Sequence, residues 1–288
     1  MAIVQRNDRQ AFGEGDTLLN ELVQFGWTRP RSAAFAGLGP HRHVGWEICW
    51  LRRGTVDWWA GERIHPVPPG HVYITQPGEI HGGVHSLLEP CELFWLELRL
   101  QRGRLPNMSV TDSHTIHNGL THLPHRVFPG DNSIGTLFEQ LFDAHRTRGP
   151  LAAVAARAAL HTFLITVLRC SAKHAATAPS SAIAQAMEHA ASRLDRGVAV
   201  AEMAHAAGLS PSRFHARFCS EVGETPADFL RRRRMHHAKH LLATTKREIT
   251  DIALALGFPT SQYFATVFRR YLGMTPRAYR DQARHAPT

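Results

Sequence analysis

Two hydrophobic rhythms divide the chain. From about Phe35 to Leu100 apolar and polar residues alternate in short runs broken by Gly and Pro, as in "WEICWLRRGTVDWWAG", "GHVYITQPGEIHGG" and "ELFWLELRL", which predicts half-buried strands joined by turns. From Ser133 the spacing lengthens to three and four. "SIGTLFEQLFDAHRTRG" and "PLAAVAARAALHTFLITVLRCSAKHA" predict two amphipathic helices, with Pro150 in the first turn of the second. "KHAATAPSS" is small, polar and Pro-bearing, which predicts a linker. Everything beyond it reads as short helices. The expectation is an α+β two-domain protein: a β-barrel domain with two helices over 1–172, a linker over 173–181, and an all-α domain over 182–288.

The C-terminal domain contains a duplication. Ala204–Pro226, "AHAAGLSPSRFHARFCSEVGETP", and Ala253–Pro276, "ALALGFPTSQYFATVFRRYLGMTP", share Ala-x-x-x-Gly-apolar, a polar start, Phe-x-x-x-Phe and Gly-x-Thr-Pro. Self-similarity at this period marks a repeated supersecondary unit. In the first copy a helix with Met203 and Ala207 inward ends at Gly208, expected at positive φ, with Leu209 plugging the core. Ser210 is placed to cap the next helix and Pro211 to occupy its first position. The second copy repeats this with Ile249, Ile252, Ala253, Gly257 and Phe258. Each copy is a helix-turn-helix.

Phenylalanines four apart share one helix face, so Phe214 with Phe218, and Phe264 with Phe268, point inward. The opposite face holds Ser212 and Ala216, flanked by Arg213 and His215, in one copy. In the other it holds Gln262 and Thr266, with Arg269 and Arg270 at the helix end and Ser261 at the helix start as a further DNA-binding candidate. Short or polar side chains can approach base edges there, and arginines at the end suit phosphates. Between the copies, Thr225 and Pro226 open a helix with Phe229, Leu230, Met235, Ala238, Leu241 and Leu242 as its apolar stripe. About 18 residues would span roughly 27 Å, comparable to the one-turn spacing of major grooves of roughly 34 Å. The run Arg231–Arg234 is expected to lie partly in solvent and partly against phosphates.

Charge sharpens this picture. The net charge is +9, and residues 1–181 hold 17 Lys/Arg against 15 Asp/Glu while residues 182–288 hold 16 against 9. The smaller part is the basic one, which points to a polyanion partner. An apolar fraction of 43% and a charged fraction of 20% are those of a globular protein. Cys49, Cys91, Cys170 and Cys219 are far apart, match no metal or redox spacing, and read as reduced thiols. Leu151–Cys170 is the best membrane-span candidate, but Arg157, His161 and Arg169 interrupt it; a packed helix fits better, with a cytoplasmic location and no membrane partner.

"GF…SQYF…FRRYLGMTPRAYR", with the rest of Ser181–Gln282, resembles the AraC/XylS family of bacterial transcription regulators. Pro259 departs from the pattern, which usually has a small polar or acidic residue there. The resemblance implies two helix-turn-helix units joined by a helix, double-stranded DNA as partner, a small-molecule effector, and activation of transcription with RNA polymerase as a further partner. It also implies a homodimer through the two helices at 134–172, with Leu137, Leu141, Leu160, Phe163, Leu164 and Val167 as candidate contacts.

In the N-terminal domain, "PHRHVGWEICWLRRG" puts His41, His43 and Glu47 at odd positions, on one face of a strand, with Trp46, Ile48 and Trp50 on the other. His81 follows in "PGEIH". His-x-His-x-x-x-Glu with a later His, and Gly54 beyond it, looks like the metal constellation of a cupin barrel. Three imidazoles and a carboxylate suit one divalent ion, Zn, Ni, Fe or Mn, with open positions for a ligand. The same four residues could instead form a metal-free polar effector pocket, as such vestiges commonly do in this family. His65, His71 and His85 are expected at the surface or barrel rim. Trp58 and Trp59 straddle both faces of a strand, so that one of them can wall the pocket.

The reading is a sequence-specific DNA-binding regulator and not an enzyme. The rivals are a metal-dependent cupin enzyme fused to a DNA-binding domain, and a nucleoid-associated protein with little sequence preference.

Overall fold

A computed structural model describes residues 4–6, 8–35, 37–61, 63–176 and 179–284. The chain forms two compact units, 1–176 and 177–288.

Unit 1 opens with β1 (Val4–Arg6), β2 (Arg9–Phe12), β3 (Leu22–Thr28), β4 (Trp46–Gly54), β5 (Val56–Ala60), β6 (Arg63–Val67), β7 (His71–Thr75), β8 (His81–Gly83) and β9 (Cys91–Leu98). Helix α1 (Val110–Thr121), strand β10 (Val127–Pro129) and helices α2 (Ser133–Thr147) and α3 (Ala152–Ala176) complete it. Seven strands pair in the order β1-β2-β3-β9-β4-β7-β10, and three in the order β6-β5-β8. The cupin-like barrel is therefore not closed: two sheets face each other without joining into one cylinder. The strands before Phe35, helix α1 and strand β10 lie outside the elements expected from the sequence.

Strand β4 shows why the two faces differ. Trp46, Ile48 and Trp50 enter a large core with Val72, Ile74, Phe94 and Leu96 and with α2 and α3. Cys49 and Leu51 enter a second core with Trp58, Tyr73 and Leu93, between the sheets. Alternation along one strand thus sends Glu47, of the same parity as Cys49, toward the inter-sheet space.

The six proposed dimer contacts are not an interface. Leu137, Leu141, Leu160, Phe163, Leu164 and Val167 are all buried in the large core. They form the wide apolar stripe with which α2 and α3 cover the open face of the seven-stranded sheet. Helix α3 is long and apolar enough to cross a membrane by length and composition, but this stripe is already packed on protein. The helix itself runs to Ala176, over the first four positions of the expected linker.

Unit 2 contains α4 (Ser181–Ala191), α5 (Val200–Ala206), α6 (Pro211–Val222), α7 (Pro226–Thr244), α8 (Ile249–Ala255), α9 (Ser261–Leu272) and α10 (Pro276–Ala283). Phe214, Phe218, Phe264 and Phe268 are fully buried. Gly-x-Thr-Pro has a local cause in both copies. Gly223 and Gly273 end α6 and α9; Thr225 accepts the Asp228 N–H and Thr275 the Ala278 N–H; Pro226 and Pro276 start the next helices. Ser210 occupies the N-cap of α6, but its hydroxyl makes no capping bond. In the second copy Thr260, after the atypical Pro259, caps α9 by accepting the Tyr263 N–H at 3.1 Å.

The two turn glycines differ in their surroundings. Gly208 has φ +64° and open space around it, whereas Gly257 has φ +77° and an added Cβ would lie 2.6 Å from Gly197 Cα. Gly208→Ala is therefore expected to cost about 1–2 kcal/mol, the left-handed penalty alone. Gly257→Ala should cost distinctly more, because backbone must also move. Urea unfolding of residues 177–288 checks the order, and equal costs would contradict the close packing.

Candidate nucleic-acid interface and effector pocket

With Phe214/Phe218 and Phe264/Phe268 buried, α6 and α9 each present an opposite, solvent-facing side. Ser212, Arg213, His215 and Ala216 are exposed on α6; Gln262, Thr266, Arg269 and Arg270 are exposed on α9, with Ser261 half-buried at its start. The outward faces inferred from angle alone are thus bare in the structure. Thr266 returns its hydroxyl to the Gln262 carbonyl at 3.0 Å, so its methyl and not its oxygen leads outward. Two further residues share this surface. Tyr263, 54% exposed, stands one position from Gln262, and Arg277 is exposed in the first turn of α10. Tyr263 was legible as the position equivalent to Arg213 in the other copy.

Hydrogen bonding sorts the arginines. Arg232 is buried and bonded to Glu224, Arg231 pairs with Asp228, Arg217 with Glu221, and Arg234 donates to the Val198 carbonyl at 2.6 Å. Only Arg231 of the run Arg231–Arg234 is exposed, as the solvent-facing part of the run was expected to be, while Arg232 and Arg234 brace the fold through Glu224 and the Val198 carbonyl. Arg213, Arg269, Arg270 and Arg277 carry no intramolecular bond among the described residues, leaving their guanidinium forks available.

In unit 1, His41, His43, Glu47 and His81 converge, with one ligand-type atom from each lying within 4.8 Å of the others. His41 and His81 form an isolated antiparallel bridge, which brings two distant segments together. His43, Glu47 and His41 line a cavity of about 430 Å³, together with Arg9, Gln24, Cys49, Trp58, Leu93 and Trp95. Of the two adjacent tryptophans, Trp58 faces the cavity, and Trp59 donates to the Gly83 carbonyl at 3.1 Å. His65 and His85 are half-buried, as rim positions can be, but His71 is buried, held by the Pro69 carbonyl at 3.1 Å. β7 is an interior strand between β4 and β10 and is buried along its whole length, which covers His71 too.

The imidazole orientations are fixed by acceptors. His41 Nδ1 lies 2.7 Å from the Gly39 carbonyl, His81 Nδ1 2.9 Å from the Glu79 carbonyl, and His43 Nδ1 3.2 Å from Glu97 Oε2. A nitrogen facing an acceptor must donate, so all three rings turn Nε2 toward the shared point. His81 Nε2 sits 3.0 Å from Glu47 Oε2, and His43 Nε2 3.5 Å from Glu47 Oε1. With Nδ1–H already committed, only a proton or another cation between Nε2 and the carboxylate satisfies these contacts.

The electrostatics agree. Burial works against charge on His43, yet Glu47 and Glu97 outweigh it and raise its pKa to about 10. Burial also opposes the Glu47 carboxylate, but His43 and His81 hold it down to about 2. Burial lowers the pKa of His41, keeping it neutral. Glu97, absent from the motif, is the addition the structure makes: it pairs with Glu47 across β4 and β9. Its place at odd spacing in "ELFWLELRL" was the available signal.

Fold and site together define a two-domain protein with a ligand-type β domain and a duplicated helix-turn-helix domain. A family model of the AraC-like ligand-binding domain matches residues 33–164, and one of the helix-turn-helix domain matches residues 203–282. The chain belongs to the AraC/XylS family. It is 35% identical over 100 residues to the xylose operon regulatory protein of Escherichia coli K12, covering 35% of this chain and 26% of that protein. It is 34% identical over 112 residues to the transcriptional activator RhaR of Klebsiella pneumoniae, covering 39% of this chain and 40% of the relative. The chain thus matches well under half the length of these regulators. The crystallised DNA-binding domain of AdpA, in complex with a target DNA, is 31% identical, covering 37% of this chain and 96% of that one at a TM-score of 0.35. The relatives are regulators, and none of these comparisons supports the fused-enzyme reading.

The sorting of arginines has a direct consequence. Arg269→Ala and Arg270→Ala are expected to weaken binding to every duplex alike with nearly unchanged melting, since among the described residues their exposed guanidinium groups make no hydrogen bond or ion pair. Arg232→Ala should instead lower the melting temperature, because it strands the Glu224 carboxylate. Anisotropy titrations and thermal melts of the same variants check both halves; a large stability loss in Arg269→Ala would contradict the assignment.

Proposed function

We propose that the chain is a sequence-specific transcription regulator that binds double-stranded DNA through α6 and α9. The observation that carries this is the repeated geometry: a fully buried phenylalanine pair opposite a bare face with unpaired arginines, occurring twice. Ser212, Arg213, His215 and Ala216 of one copy, and Ser261, Gln262, Tyr263, Thr266, Arg269 and Arg270 of the other, are the DNA-facing residues. The inter-sheet cavity of unit 1 holds a small-molecule effector, with Trp58 and Trp95 as walls and His41, His43 and Glu47 as its polar end, and with the fully buried His81 supporting Glu47. Relatives named for xylose operon regulation and for activation support an activator that engages RNA polymerase in a bacterial cytoplasm. The protein turns over no substrate in this reading.

A second statement concerns the polar end. Three imidazoles with Nδ1 anchored and Nε2 convergent, plus a carboxylate, fit a divalent ion such as Zn, Ni, Fe or Mn. Donors at about 2.1 Å from one ion lie at most about 4.2 Å apart, so the observed cluster is slightly wider than a loaded one. The ion would present an open position to the effector.

Assembly as a homodimer fits the outer face of α3. Val154, Ala158 and Ile165 fall within about 40° of arc at 100° per residue, with Leu151 just before the helix, and Leu151, Val154 and Ile165 are 72%, 62% and 40% exposed. This stripe replaces the buried leucines as the dimer surface.

Two experiments test the proposal. Residues 177–288, offered a random duplex library, should select a motif bound about 10³-fold or more tightly than random DNA, with log affinity falling linearly in log salt. Equal binding of selected and random duplexes would favour the nucleoid-type reading. The full chain should sediment as a dimer at micromolar concentration, and Val154→Asp with Ile165→Asp should give a folded monomer. A monomeric wild type would overturn the assembly.

A further inference from the structure

We propose that Glu97 is the positioning residue that turns His43 into a metal ligand, holding its Nδ1–H so that Nε2 faces the point shared by His41, Glu47 and His81. This rests on the reading of that cluster as a divalent-ion site.

The three histidines are not anchored alike. His41 and His81 each bond the carbonyl two residues before them, Gly39 and Glu79. The equivalent carbonyl for His43 is that of His41, and it already accepts the His81 backbone N–H at 2.9 Å. His43 also lies before β4 begins, beside exposed Val44; its carbonyl accepts the Gly78 N–H at 2.8 Å, which ties the backbone but leaves the ring free to turn. Its ring needs an acceptor from elsewhere, and Glu97 supplies one at 3.2 Å.

Glu97 is built to hold still. It is 3% exposed. Oε1 accepts the Gly45 N–H at 3.3 Å, and Oε2 accepts Gln24 Nε2 at 3.0 Å. Two neutral donors and the imidazole thus fix both oxygens, and the carboxylate stands outside the convergent group of four. A carboxylate behind a ligating imidazole fixes its orientation and strengthens it as a donor, and removing such a partner costs 10–100-fold in metal affinity. Gly45 links the device to the site: its N–H, two residues after His43 and two before Glu47, binds the same carboxylate.

The test titrates the full-length chain with Co²⁺, read by its visible absorption, and with Zn²⁺ in competition with a chelator. Imidazole ¹H–¹⁵N spectra of the Zn²⁺-treated protein are recorded alongside. The wild type should bind one ion per chain with His43 protonated at Nδ1. Glu97→Gln should bind about 10–100-fold more weakly, with the His43 Nδ1–H signal moved and those of His41 and His81 kept. Glu97→Asp should recover part of the affinity. If Glu97→Gln binds within about twofold of wild type, or if all three histidine signals collapse together, Glu97 does not position His43. Should Glu97→Gln fail to fold, Gln24→Leu replaces it: removing one of the two clamps on the carboxylate should weaken the metal and shift the His43 signal, and no change in either overturns the proposal. A wild type that takes up no metal overturns the ion-site reading itself, visibly and before any variant is compared.

Discussion

Burial of two phenylalanines one helical turn apart is the constraint on which the DNA-binding unit depends. Phe214 with Phe218, at ring centroids 5.4 Å apart, and Phe264 with Phe268, at 5.5 Å, fill the cores of the two copies. Truncating a buried phenylalanine to alanine costs about 3–5 kcal/mol, against a stability of about 5–15 kcal/mol for a whole domain. Each helix therefore has one rotational setting. That setting decides which residues meet solvent, so a core requirement becomes a specification of the outward face. The turns enforce the same result: Gly208 and Gly257 end the first helices, and the close approach of Gly257 to Gly197 ties the second copy to the turn that precedes α5.

The same logic explains the small size of the α6 surface beside that of α9. Ser212 and Ala216 leave the backbone of α6 free to approach a groove closely, with Arg213 as its long donor. Gln262, Tyr263, Arg269 and Arg270 make α9 larger and more basic. Two copies of one motif thus carry two different chemical faces, which suits two half-sites of different sequence.

Much of this was legible in the sequence, for physical reasons. Helix angle depends only on local spacing, so the buried pairs and their opposite faces could be read directly. Strand alternation placed Glu47 alone. His41 and His43 lie before β4, not on one strand with it as expected. The His41–His81 bridge and the Gly78 N–H bond to the His43 carbonyl bring them beside it. What was not legible depends on distant pairing. Glu97 stands behind His43, outside the group of four, because β9 lies beside β4 in the sheet; its odd position matches that of Glu47, but the pairing of the two strands is not encoded locally. Leu160, Phe163, Leu164 and Val167 are core and not interface, because an apolar stripe does not say whether a sheet or a second copy covers it. Arg232 and Arg234 look basic and exposed in the run of four, yet Glu224 and the Val198 carbonyl hold them. Strand β3 escaped because Gly26 breaks its alternation, where the Trp95 ring leaves no room for a side chain, and β1 and β2 are only three and four residues long.

Unit 1 shows how a buried polar group is made tolerable. Every imidazole nitrogen at Nδ1 has an acceptor, and the cost that remains is concentrated at one point among Nε2 atoms and Glu47. A proton on His43 meets it in part; a divalent ion or a polar effector would meet it more fully. The cavity is thus poised toward a cationic or donor-bearing occupant at one end, with aromatic walls beside it.

The central claim is that the two bare helix faces read successive major grooves of one duplex. Guanine-methylation interference, with a selected duplex and residues 177–288, tests it most directly. The account predicts two clusters of interfering guanine N7 positions on one face of the DNA, about one helical turn or 10–10.5 base pairs apart. Replacement of Arg213 should relieve only one cluster, and replacement of Gln262 should alter only the other. A single cluster, or interference spread evenly along the duplex, would contradict it.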